Sequence, residues 1–209
     1  MLRQSEVQTE SELDGSGVTV AVVDSGIAGH PDIKSRLLTE VEIVLHEKGF
    51  ADYYGHGTHV AGIIAGDGTS SSDPLSFRRF NGIAPGASLV SVRVLGSDGS
   101  GRVSDVIAGI DWVIANKELH GIRVMNLSLG HPVEESYGTD PLCQAVERAW
   151  KSGILVVVAA GNDGADGYAS IHSPGNDPYV ITVGSSNNYL TGDRADDILT
   201  TYTSLGPTY

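Results

Sequence analysis

The chain has 209 residues, of which 40% are hydrophobic, so it can bury a core of its own. Its 26 acidic and 13 basic side chains give a formal net charge of −13. Such a charge argues against a nucleic-acid partner, because phosphate backbones are repelled. The longest apolar run, residues 154–160, is too short to cross a bilayer, and no membrane partner is predicted.

Cysteine content and the N-terminal residues bear on location. The single cysteine, Cys143, excludes a disulfide within the chain and fits a reducing compartment or a secreted protein without disulfides. Residues 1–13 are polar and lack the apolar core of a signal peptide. We therefore favour a cytoplasmic location but leave localisation open. Residues 1–14 are predicted to be an N-terminal extension or linker.

Runs of β-branched and apolar residues predict six strands. They cover residues 18–23, 41–45, 89–95, 123–129, 155–160 and 180–183. Several are apolar on both faces, which is typical of buried parallel strands. The polar, Gly- and Ser-rich residues 67–81 predict a surface loop.

Helical patterns lie between the predicted strands. Residues 103–119 carry one apolar stripe, and a second helix is bounded by Asp140 as N-cap, Pro141 in the first turn and Gly153 at the C-terminus. The buried face of the second helix is expected to consist of Leu142, Val146, Ala149 and Trp150. The alternation predicts an α/β fold: a mostly parallel sheet flanked by helices on both faces.

Asp24 stands at the end of the first predicted strand, within AVVDSG. Ligands of parallel sheets bind beyond the carboxyl ends of the strands, so a functional carboxylate is one interpretation, and a turn-capping aspartate is the other. A dinucleotide site is not favoured, because only Gly26 and Gly29 follow, without G-x-G-x-x-G.

The segment GHGTHVAGIIAG at 55–66 places His56 and His59 in the first turn of a predicted helix. No third ligand stands nearby at metal-site spacing, so a metal pair is not favoured. A helix N-terminus disfavours imidazolium, which suits His56 to the role of a base. We expect His59 to bond only within the fold. Gly57 should allow close packing, and the core face should comprise Val60, Ile63 and Ile64.

Asn162 follows the buried run VVVAA, within AAGNDG. Its amide could donate hydrogen bonds to a developing oxyanion at a strand end. An asparagine in a tight turn is the alternative, and this residue alone does not decide between them.

Together these segments resemble the subtilisin family of serine proteases in residue type and order. AVVDSG, GHGTHVAG and AAGND resemble the family's aspartate, histidine and oxyanion-asparagine motifs, while SPGNDPYVITVG and SLGP extend the similarity towards the C-terminus. The resemblance covers residues 15–209, and we predict a partial subtilisin-like peptidase domain there.

The resemblance implies acyl transfer to a serine, with Asp24 orienting His56 and Asn162 stabilising the oxyanion. A peptide or protein substrate would bind as an extended strand between two segments, and its P1 side chain, on the acyl side of the cleaved bond, would enter a slot. Residues 171–172 should lie near the floor of that slot. The residues expected to bind substrate are Gly99, Ser100, Gly101, Ser128, Leu129, Gly130, Ala159, Ala160 and Gly161.

The family's G-T-S-M-A segment, whose serine is the nucleophile, does not occur in these residues. The only G-T-S, at 68–70, lies in the polar loop and lacks a following helix. We therefore expect a fold that is incomplete at its C-terminus, a partner segment that carries the serine, and no activity from this chain alone. An inactive peptide-binding protein and a folding half remain alternatives.

Two further expectations come from the resemblance. Catalysis needs no cofactor and no metal, while a structural calcium ion is compatible with the family, although no acidic loop here shows convincing ligand spacing. The Ser173–Pro174 bond is predicted to be cis.

Overall fold

Strand β1 (Thr19–Asp24) is an interior strand of the first of two units in the computed structural model, and all six of its residues are buried. The structure describes residues 13–44, 51–189, 191 and 193–208. The first unit ends at Asn126 and the second begins at Leu127. The predicted N-terminal extension lies outside the described residues up to position 12.

The first unit contains four parallel strands in the order β2-β3-β1-β4. The other three are β2 (Leu37–Glu42), β3 (Ser88–Arg93) and β4 (Ile122–Leu127). Residues of β1 and β3 pair in unbroken register, so that Asp24 stands opposite Arg93. The carboxyl end of β1 is therefore level with that of β3, where side chains can meet beyond the sheet.

Helices cover both faces of this sheet. They are α1 (Pro31–Lys34), α2 (His56–Ala65) and α3 (Val103–His120). Helix α2 packs through Ala61 in a cluster that includes Val20 and Val22 of β1. Helix α3 approaches the opposite face, because a Cβ at Gly109 would lie 3.5 Å from the side chain of Val23. Since successive side chains of a strand point to opposite faces, the two helices lie on different sides.

The second unit pairs β5 (Leu155–Ala159) with β6 (Ile181–Val183) in parallel. Helix α4 (Pro141–Lys151) packs against β5. Strands β7 (Ser186–Asn187) and β8 (Ile198–Leu199) form a short antiparallel pair. These observations confirm the predicted α/β class with a mostly parallel sheet and flanking helices.

Helix α4 begins as predicted and differs on its buried face. The Asp140 carboxylate accepts hydrogen bonds from the backbone N–H groups of Leu142 and Cys143, at 2.7 and 3.3 Å. At the other end Gly153 follows the C-cap with φ +91°. The prediction that Trp150 is buried is wrong: it is 43% exposed and packs on Tyr179, with ring centroids 4.8 Å apart.

Two other predictions need correction. Strand β2 lies at 37–42 rather than 41–45, because the half-exposed segment from Leu37 pairs with β3 although it lacks a continuous apolar run. Position 45 is outside the described residues. Ile63 is 53% exposed, because it lies about 200° around helix α2 from the buried Ala61.

Other local predictions are confirmed. The Ser173–Pro174 bond is cis. Residues 67–81 form an irregular surface loop with one 3₁₀ turn at Thr69–Ser71. Two apolar side chains of this loop, Leu75 and Phe77, are almost fully exposed.

Candidate active site

Asp24 and His56 lie in direct contact. Asp24 is the last residue of β1, and His56 is the first residue of α2. The His56 Nδ1 lies 2.8 and 2.9 Å from the two carboxylate oxygens of Asp24. The carboxylate is fully buried, whereas the imidazole is 40% exposed. This contact was predicted, and it favours the tautomer that carries its proton on Nδ1 and donates it to the carboxylate, with the lone pair on Nε2.

A glycine allows helix α2 to begin this close to the aspartate. A Cβ at Gly57 would lie 2.1 Å from the carbonyl oxygen of Gly26 and 3.2 Å from the Asp24 side chain. The Ser25 backbone N–H also donates to Asp24, at 2.7 Å. The aspartate is thus held from its own strand end as well as from the helix.

Asp52 is a site residue that the sequence analysis missed. Its carboxylate accepts hydrogen bonds from the Thr58 hydroxyl at 2.6 Å, the Thr58 N–H at 2.9 Å and the Gly55 N–H at 2.8 Å. It also accepts a hydrogen bond from the Ser25 hydroxyl at 2.9 Å. The Ser25 hydroxyl oxygen in turn accepts a hydrogen bond from the Gly57 N–H. Burial opposes ionisation of Asp52, but these hydrogen bonds outweigh it and lower the pKa of the carboxyl.

His59, the other histidine of the motif, points away from Asp24. It lines a cavity of about 370 Å³ together with His30, Ile63 and Phe80. Its imidazole makes no hydrogen bond to any residue that the structure describes, and its backbone N–H donates to the Gly55 carbonyl. That His59 bonds only within the fold stays a prediction.

The predicted substrate-binding segment Gly99–Gly101 follows a tight turn rather than forming a strand. The Gly99 N–H donates to the Gly96 carbonyl, and the Gly96 N–H donates back to the Ser100 carbonyl at 2.7 Å. Gly99 has φ +79°, and a Cβ there would lie 2.3 Å from Cζ of Tyr54. The Tyr54 ring therefore packs closely against Gly99, a contact that the sequence did not reveal.

The predicted slot of the second unit is built around His172. Its backbone N–H donates to the Ala160 carbonyl, and the next residue, Ser173, exchanges two backbone hydrogen bonds with His131. The His172 side chain lies against two glycines of the expected walls. A Cβ added to Gly161 would lie 2.9 Å from Cγ of His172, and a Cβ added to Gly130 would lie 3.0 Å from Cβ of His172. His172 thus lies against two residues of the expected walls, and its place at the floor of a substrate slot stays a prediction.

Asn162 lies just beyond β5 and is exposed. Within the described part of the chain, its side-chain amide makes no hydrogen bond. Its donors are therefore available to a ligand. Gly161, the residue before it, has φ +112°, a conformation that favours glycine and turns the chain at this point.

No metal site can be assigned. In the ranges that the structure describes, no three histidine, cysteine, aspartate or glutamate side chains are grouped so that they could hold an ion. No helix of the described chain is long and apolar enough to cross a membrane.

Comparisons with known proteins agree on one family. The model of the subtilase family matches residues 15–209. The chain is 42% identical over 207 residues to serine protease AprX of Bacillus subtilis (strain 168), covering 97% of this chain and 46% of that protein. It is 41% identical over 175 residues to subtilisin BL of Lederbergia lenta, covering 84% of this chain and 58% of that protein.

A solved structure gives the same result. The crystal structure of a cold adapted subtilisin-like serine proteinase matches with a TM-score of 0.73 and 32% identity, over 95% of this chain and 63% of that one. The chain spans about half the length of the curated relatives named above.

Proposed function

Since this chain belongs to the subtilase family of subtilisin-like serine proteases, we propose that it supplies the aspartate and histidine of a serine endopeptidase site. The observation that carries this proposal is the hydrogen bond between His56 Nδ1 and the buried Asp24 carboxylate. Asp24 fixes the tautomer and stabilises the imidazolium, while His56 Nε2 takes the proton of the attacking serine and returns it to the leaving amine.

Asn162 donates to the oxyanion of the tetrahedral intermediate in the proposed reaction. Its exposed amide, which has no described partner, supports this role. In subtilisin, loss of such a donor lowers kcat by about 10²–10³-fold, and we expect the same order here. The reaction uses side chains and backbone groups only, so it needs no cofactor.

The nucleophilic serine, in this proposal, belongs to a segment that these 209 residues do not contain. The absence of a G-T-S-M-A sequence supports this, as does the fraction of each relative that the chain spans. Exposed apolar residues on β6 and β8 offer such a segment a surface to pack on; they are Ile181, Val183, Ile198 and Leu199. The substrate is a peptide or protein, and the chain alone is inactive.

Complementation tests the proposal. The 209-residue chain, verified by intact mass, is mixed with a separately made segment that bears the G-T-S-M-A serine, or is expressed as one polypeptide with it. Peptidase activity is expected to appear and to be inhibited by serine-directed phosphonylating reagents. His56→Ala should abolish it. His59→Ala is the matched control on the same helix and should leave activity unchanged.

Two outcomes contradict the proposal. Activity of the 209-residue chain alone would place the nucleophile within it. Peptide binding by the complemented protein without hydrolysis would instead support the inactive peptide-binding alternative.

A further inference from the structure

The floor of the slot in the second unit carries a hydrogen-bonded histidine–aspartate pair that the family resemblance did not predict. His172 Nε2 lies 2.5 Å from Oδ2 of Asp163, the residue that follows Asn162. The histidine side chain is only 17% exposed, whereas that of Asp163 is 43% exposed. The imidazole thus faces the protein, and the carboxylate retains access to solvent or to a ligand.

Backbone contacts hold both members of the pair in place. His172 is anchored through its N–H to Ala160, and its ring is confined between Gly130 and Gly161. The Asp163 N–H donates to the Ser204 hydroxyl at 3.1 Å, and the Ser204 N–H donates to Gly161. The pair is therefore a preformed feature of the floor rather than a surface contact between two mobile side chains.

The cavity beside this pair is acidic. Its volume is about 280 Å³, and its wall includes Asp163, Asp166, Tyr168, Ile171 and His172; none of the described residues of this wall is a lysine or arginine. Two carboxylates are thus balanced by one imidazole at most. A cation that enters is attracted, and an anion is repelled, because charges near a partly desolvated wall are poorly screened.

We infer that the His172–Asp163 pair makes this slot selective for a lysine or arginine side chain at P1. The inference rests on the proposed function, since it takes the slot to be the P1 site that the subtilisin resemblance implies for such a protease. The aliphatic stem of the side chain passes the small walls formed by Ala159 and Gly161, and its charged end reaches the half-exposed carboxylate. A merely space-filling histidine would instead favour small, uncharged P1 side chains.

Peptide binding to the 209-residue chain tests the inference without requiring turnover. The probes are acetyl-Ala-Ala-Pro-X amides in which X is lysine, norleucine or glutamate, titrated at low salt and followed by NMR. Norleucine has the same carbon stem as lysine and no charge. Lysine is expected to bind about five- to tenfold more tightly than norleucine, with glutamate weakest.

Variants assign the preference to the pair. Asp163→Asn should remove most of the lysine advantage and leave the norleucine affinity unchanged. Asp166→Asn, which removes a second carboxylate of the same cavity, should reduce the advantage less. His172→Ala should also weaken it, because Asp163 then loses the partner that orients it. Thermal unfolding checks that each variant is folded. If Asp163→Asn does not fold, the inference is tested by the order of the three peptide affinities in the unchanged chain and by the effect of His172→Ala on that order.

Equal binding of lysine and norleucine, tighter binding of a small P1, or an equal effect of Asp166→Asn and Asp163→Asn would overturn the inference, as would the failure of all three peptides to bind. These outcomes are independent of the complementation assay. Selective binding without activity contradicts the proposed function alone, and activity without lysine selectivity contradicts the P1 inference alone.

Discussion

Asp52 ties the segment before helix α2 to the strand end that carries Asp24. It accepts hydrogen bonds from Gly55, Thr58 and Ser25, and Ser25 also contacts Asp24. Asp52→Asn removes the charge and one acceptor oxygen, and leaves buried donors poorly satisfied. The free energy of unfolding in urea at pH 7 should fall by about 1–3 kcal/mol.

The loss of unfolding free energy in Asp52→Asn should decrease as the pH falls. The hydrogen bonds hold the folded-state pKa of Asp52 below its unfolded value, against the opposing effect of burial. Its stabilisation is therefore present above the unfolded pKa, about 3.9, and is lost as the pH falls through the folded pKa. The difference in unfolding free energy between the unchanged chain and Asp52→Asn should have its largest value at pH 7 and should decrease below about pH 4. An unaltered difference at pH 3 would contradict the charge argument, and the exposed Glu135→Gln serves as control.

Cys143 is expected to be chemically silent in the folded chain. Burial, first of all, and the nearby carboxylates of Asp140 and Asp177 raise the pKa of its thiol to about 12, although a hydrogen bond with Ser173 acts in the opposite direction. Because the thiolate is the reactive form, a thiol reagent at pH 8 should label the native chain at least about 100-fold more slowly than the urea-unfolded chain. Rapid labelling before unfolding would contradict the buried position.

Among individual residues, the sequence predicted the candidate site residues that lie within recognisable motifs. It did not predict residues whose contacts form only in the folded chain. Asp24, His56 and Asn162 stand in ordered segments that identify them. Asp52 lies four positions before His56, and only the folded chain brings it to Ser25. The sequence did not predict the contact of Asp163 with His172, because the two residues are nine positions apart and meet only where the chain reverses direction after β5.

Helix α2 offers a matched pair of glycines. A Cβ at Gly57 would collide with the Gly26 carbonyl, whereas a Cβ at Gly62 would meet nothing within 4 Å. Gly57→Ala should force the first turn away from Asp24, cost about 1–3 kcal/mol and abolish activity in the complemented enzyme. Gly62→Ala should stabilise the chain by about 0.5–1 kcal/mol, because alanine favours the helix. If both variants unfold at the same urea concentration, close packing at Gly57 is not what fixes this helix.

The presence of the helices and strands could be predicted from the sequence, but the residues at which strands begin and the side chains that are exposed could not. β1 and β3 are buried on both faces almost throughout, so apolar residues occupy successive positions in each strand, as at Val20–Val23 and Leu89–Val90. β2 alternates between half-buried and exposed positions, and its start is set by pairing with β3 rather than by its own composition. Their apolar side chains alone suggest core positions for Ile63 and Trp150, but helix geometry and neighbouring residues determine their burial.

Across the whole molecule, a large negative charge coexists with exposed apolar strand residues. Ile181 and Val183 stand two positions apart on β6 and are each about half exposed. An exposed apolar edge strand favours pairing with another chain. The net charge of −13 opposes contact between copies, and salt screens that repulsion.

The 209-residue chain should therefore associate with itself, and more so as salt rises from about 10 mM to about 0.5 M, where the screening length falls from about 30 Å to a few ångströms. Sedimentation velocity over a range of protein concentrations measures this. Ile181→Lys combined with Val183→Lys should suppress association, because charges on an edge block strand pairing. Leu119→Lys, at an exposed position of α3, is the control and should not. In the complemented protein, association should weaken without mutation if the added segment covers β6. Association that weakens with salt, or that Leu119→Lys suppresses as strongly, would show that electrostatic contacts rather than the apolar strand join the copies.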